Sequence, residues 1–81
     1  MPKLPRISGS EAVKALGRMG FYLDRQTGSH AVLKKPLVNE SEEPCGEVVC
    51  VVPLHRELKT GTLAGVLKQA QVNPEEFISN L

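Results

Sequence analysis

The sequence predicts an α+β fold in the order α-β-β-β-α, with one three-stranded antiparallel sheet, helices packed on one face of it, and a short C-terminal helix. Three observations carry this expectation. Two stretches with the 3.6-residue apolar period of an amphipathic helix stand at opposite ends of the chain. Between them lie alternating and β-branched runs punctuated by turn residues. Finally, 81 residues leave room for one domain, spanning 1–81, whose helices must share one core with the sheet.

Ser8 and Glu11 have the three-residue spacing of a capping box, and Ala12, Val13, Leu16 and Met19 follow at helical spacing. Gly20 then supplies the left-handed residue that commonly ends a helix, so the first helix is expected over 9–19. Residues 21–26 alternate as a half-buried strand with Phe21 and Leu23 inward. Thr27-Gly28 signals a turn into a second strand over 29–35. Residues 36–46, PLVNESEEPCG, hold two Pro, one Gly and three Glu and read as a long polar connection. The run 47–52 is the strongest β signal in the chain and is stopped by Pro53. Leu63, Val66, Leu67 and Ala70 give the amphipathic period of a helix over 61–71. Asn73-Pro74-Glu75-Glu76 starts the terminal helix, with a capping side chain, proline in the first turn and acids at the positive dipole end.

Hydrophobic residues make up 41% of the chain and aromatics only 4%, so the core must be aliphatic. No apolar run approaches the roughly 20 residues of a membrane span, and the first residues, MPKLPRISGSE, hold no apolar stretch for a signal peptide. The expected location is therefore cytoplasmic. Cys45 and Cys50 are five apart with Cys50 inside a strand, poor geometry for a mutual disulfide, so both are expected as free thiols. The net charge is only +1, yet four of the nine acids, Glu40, Glu42, Glu43 and Glu47, crowd into one segment. Ten Lys and Arg face the remaining five acids, which permits a basic surface elsewhere.

In the second strand, alternation places His30, Val32 and Lys34 on one side and Ala31 and Leu33 on the other. A histidine suits proton transfer near neutral pH, since its ordinary pKa is roughly 6.5. On residue types alone the ordinary reading of His30 is a solvated strand residue.

The helix ending in Gly20-Phe21, the Gly28-Ser29-His30 turn into a strand, and the Val-rich strand ending in Pro53 with His55 just after it form one series. With Gly61-Thr62-Leu63 leading into Leu67-Lys68-Gln69-Ala70, the series resembles the HicA-type mRNA interferase toxins, also called the YcfA-like family. The resemblance runs from about residue 8 to 79. It implies a fold similar to double-stranded RNA binding domains, ribonuclease activity on mRNA without a cofactor or metal, and a HicB-type antitoxin as protein partner. It places the catalytic histidine on His30. The chain departs from the family pattern in its long acidic connection.

RNA can be cut without a metal because its own 2′-hydroxyl can attack the adjacent phosphate once a base removes the proton. Around His30, Gly28 permits a tight turn and close approach of a phosphate, and Ser29 can donate a hydrogen bond. Lys34 and Lys35, with Arg25 nearby, are candidates for holding phosphates, and His55 for a phosphate ligand or second proton carrier. Tyr22 is a candidate for base stacking. Each also has an ordinary structural reading.

Three other functions compete. An RNA-binding module of the same fold would need basic residues at the start of the second long helix, where Lys59 is a modest match. A zinc site could draw on His30, Cys45, Cys50 and His55, although their spacing does not fit a compact Cys knuckle. A chain that only binds an antitoxin would retain every fold-bearing residue.

Overall fold

The computed structural model of the protein describes residues 3–81. In chain order they form α1 (Gly9–Arg18), β1 (Tyr22–Thr27), β2 (His30–Val38), β3 (Pro44–Pro53), α2 (Thr60–Ala70) and α3 (Pro74–Ser79). The strands make one antiparallel sheet in the order β1-β2-β3, the arrangement the sequence predicts.

The start of α1 is fixed by the capping box. The Glu11 backbone N–H donates to Ser8 Oγ at 3.1 Å, and the Ser8 N–H donates back to Glu11 Oε1 at 3.4 Å. At the other end Gly20, with φ +101°, lets Phe21 N–H reach Leu16 O and Gly20 N–H reach Gly17 O, a Schellman closure with Phe21 and Leu16 both buried. Ser8→Ala is expected to cost about 1 kcal/mol, measurable as a lower urea midpoint at unchanged slope.

The core is aliphatic and lies between the sheet and the helices. Ala12, Ala15 and Leu16 of α1 meet Leu33, Val48, Cys50 and Val52 of the sheet. Leu63, Val66, Leu67 and Ala70 of α2 and Phe77 of α3 complete the cluster. Among the described residues no helix covers the opposite sheet face, which leaves Tyr22, Val49 and Val51 exposed.

Two expectations are corrected. The segment 36–46 is not a loose connection: β2 runs on to Val38, β3 begins at Pro44, and the chain turns between them within five residues. Asn39 organises that turn, its Oδ1 accepting from Ser41 N–H at 2.9 Å and Glu43 N–H at 3.0 Å. Pro36 is tolerated in this central strand because β1 begins at Tyr22, opposite Lys34, and does not run alongside Pro36, so the missing N–H interrupts no β1 ladder.

The second correction concerns β1. Its register shifts between Leu23 and Arg25, a bulge at Asp24. Leu23 pairs with buried Leu33 and so faces the helices, but it lies at the sheet edge and stays 52% exposed. Beyond the bulge Arg25 pairs with Val32 and Thr27 with His30, on the face without helices.

Candidate functional site

His30 is the first residue of β2 and is held from both sides, paired with Thr27 in β1 and Pro53 in β3. Its side chain is exposed and makes no hydrogen bond or ion pair among the described residues. The turn before it is two residues long, with a positive φ of 59° at Gly28 and none at Ser29, the type II′ pattern. A Cβ added at Gly28 would meet no heavy atom within 4 Å, so the outer side of the turn is open to an approaching group.

The turn is anchored twice. Gln26 Nε2 donates to Gly28 O at 3.2 Å, and Leu54 N–H donates to Ser29 O at 2.6 Å. His55, the next residue, offers its carbonyl to Gly9 N–H at 2.9 Å, where α1 begins. Gly9 lies so close to Pro53 and Leu54 that no side chain fits between them. The Gly28–His30 turn, the Pro53–His55 segment and the start of α1 therefore form one tied corner. Both histidines of the chain stand at this end of the sheet.

The predicted cations separate. Lys34 shares the face of His30, but its Nζ lies 3.7 Å from Asp24 Oδ2 and 3.5 Å from Glu47 Oε1, so two carboxylates already compensate it. Lys35 points to the helix side, with its Nζ 5.8 Å from the centre of the Phe21 ring, a packing and cation–π role away from His30. Arg25 takes the place expected of them. It is exposed and sits diagonally across from His30 on the same face, within reach of a long side chain. Tyr22, paired with Lys34, is exposed on this face as well.

The four candidate zinc ligands do not meet. Cys50 points into the core, Cys45 lies in the far arm of the β2–β3 hairpin, and His30 stands at the opposite end of the same ladder. Among the described residues no three His, Cys, Asp or Glu side chains are grouped as metal ligands. Both cysteines are free. Burial pushes the Cys50 thiol up from 9.0 to about 11. The unfolded chain then ionises this thiol first as pH rises. The thiol's contribution to stability is fully present below about pH 9 and is lost progressively toward about pH 11. Urea melts across that window are expected to fall by at most about 1.4 kcal/mol per pH unit from this group. A Cys50→Ala chain is expected to lack that component of the slope.

The arrangement brings together an exposed imidazole, a turn open to a bulky anion, and the guanidinium of Arg25, which makes no ion pair among the described residues. No helix among the described residues is long and apolar enough to cross a membrane. Comparison with curated proteins finds no match. The family model described as "HicA toxin of bacterial toxin-antitoxin" matches residues 9–72, which takes in α1, the whole sheet, the tied corner and α2.

Proposed function

Since the chain belongs to the HicA toxin family of bacterial toxin–antitoxin systems, we propose that it is the RNA-cutting partner of such a pair, acting on mRNA in the cytoplasm with His30 as its proton-transfer group. The observation that carries this reading is an unbonded, exposed imidazole on a backbone held from both sides, beside a glycine turn with nothing over it.

In the reaction, His30 accepts the proton of a ribose 2′-hydroxyl as that oxygen attacks the adjacent phosphorus. The bond from phosphorus to the 5′-oxygen of the next nucleotide breaks, leaving a 2′,3′-cyclic phosphate. The departing 5′-oxygen takes a proton from solvent, to which this end of the sheet is open. Arg25 offsets charge on the phosphate, Gly28 and Ser29 shape its approach, and His55 borders it from the neighbouring segment. Metal is not required for any of these steps.

A HicB-type antitoxin would act by covering the His30 face, where Tyr22, Val49 and Val51 offer apolar contact area to a protein partner. The test of the chemistry is a single-stranded RNA with one 2′-deoxy nucleotide at a mapped cleavage position, incubated with the protein in EDTA. Cleavage is expected to vanish at that position alone. Continued cutting there would exclude attack by the 2′-hydroxyl, and binding without any cutting of all-ribose RNA would favour the non-catalytic RNA-binding module.

A further inference from the structure

We propose that the groove between α1 and β1 is a nucleobase subsite, and that it gives RNA cleavage at His30 its sequence preference. This inference rests on the ribonuclease reading above.

The bulge at Asp24 leaves Leu23 facing α1 at an edge no helix covers, so an apolar groove of about 250 Å³ remains there. Val13, Leu23, Ala31 and Leu54 give it an apolar lining, and Ser10, Lys14 and Gln26 complete it. The volume lies below the range of roughly 300–1,000 Å³ usual for drug-sized ligands, and suits one flat ring held between aliphatic side chains. Gln26 adds a means of recognition. Its Nε2 is held by Gly28 O, while its Oε1 accepts no hydrogen bond among the described residues and is available to an exocyclic amine.

The groove lies across β2 from the candidate site, on the helix side of the sheet. Ala31 follows His30 in the same strand, and successive side chains point to opposite sheet faces, so imidazole and groove are separated by the thickness of one strand. Leu54, which lines the groove, is the residue whose N–H holds Ser29 O. An RNA strand crossing the sheet end at Gly28–Ser29 sets a phosphate at His30 and an adjacent base over Ala31. A nucleobase fits this place better than an apolar protein side chain because Lys14 and Gln26, whose Oε1 accepts no hydrogen bond among the described residues, line the groove beside its aliphatic residues.

The test has two arms. In the first, wild type, Leu23→Trp and His30→Ala are given single-stranded RNAs that differ only in the bases flanking one cleaved bond. Wild type is expected to favour one base by about tenfold or more, and Leu23→Trp, which fills the groove, to flatten that preference. In the second, ¹⁵N-labelled His30→Ala is titrated with the four nucleoside 3′-monophosphates. The amides of Val13, Leu23 and Ala31 are expected to shift for one base, and adding Leu23→Trp to abolish the shift.

Cutting that is unaffected by His30→Ala would overturn the ribonuclease assignment of the site without bearing on the titration. Unchanged preference in Leu23→Trp, or shifts confined to cationic residues whatever the base, would overturn the subsite. So would a Leu23→Trp chain that keeps its cutting pattern but escapes its antitoxin, since the groove would then be a protein contact.

Discussion

His30→Ala is expected to slow RNA cleavage by roughly 10²–10⁴-fold, the usual contribution of a positioned proton-transfer group. The substitution removes an exposed side chain with no hydrogen bond among the described residues, so its effect on stability is expected to stay within about 0.5 kcal/mol. This separation makes the result interpretable. End-labelled RNA in EDTA measures the rate, thermal melts by circular dichroism confirm equal folding, and filter binding measures RNA affinity. Loss of cutting with affinity retained assigns His30 to the chemistry. Equal cutting by both proteins would move the chemistry to another residue, and loss of affinity in parallel with rate would make His30 a binding group.

Gly9→Ala is expected to destabilise the protein by about 3 kcal/mol, even though alanine is the better helix former. The new Cβ would run into the carbonyl oxygen of Pro53 and come within 2.8 Å of Leu54 Cα, and backbone cannot swing aside as a flexible side chain can. For a domain of this size the loss corresponds to a melting temperature lower by on the order of 15 °C. Gly17→Ala, in the same helix, supplies the contrast. Its added Cβ would meet nothing within 4 Å, so it is expected to stabilise by up to about 1 kcal/mol. Opposite signs in the two melts would show that Gly9 is present for close packing and not for flexibility. Matching signs would refute the packing argument. Because Pro53–His55 also carries the bond to Ser29, Gly9→Ala is further expected to loosen the Gly28–His30 turn, seen as faster amide exchange at Leu54.

The elements that could be read directly from sequence are those fixed by local chemistry. Ser8 and Glu11 satisfy each other's backbone, Gly20 closes α1, Asn73 caps α3 with Oδ1 2.8 Å from Glu75 N, and the β-branched run of β3 favours a strand. The Gly28-Ser29-His30 turn belongs to the same group, since a positive φ at glycine and alternation along β2 fix where the imidazole points. Element order, the helix-covered face of the sheet and the side of the sheet that carries His30 follow from neighbours within a few positions of one another.

What the sequence left open depended on residues distant along the chain. Simple alternation from Phe21 and Leu23 would turn Arg25 toward the helices, and the bulge at Asp24 turns it toward His30 instead. Two strands must be paired before a bulge exists, so no local pattern announces it. Lys34 looked available for phosphate until folding brought Asp24 and Glu47 to either side of it, and Lys35 until Phe21 lay under it. Proline, glycine and glutamate made 36–46 resemble a loop, yet cross-strand hydrogen bonds hold most of it as a hairpin arm, because β1 does not run alongside Pro36 and leaves it no β1 ladder to interrupt. The sequence by itself determined the order of the elements and the face of the sheet on which His30 stands. Tertiary structure alone decided which charges surround that base, because side-chain partners across a sheet are set by register and contact, and neither is local.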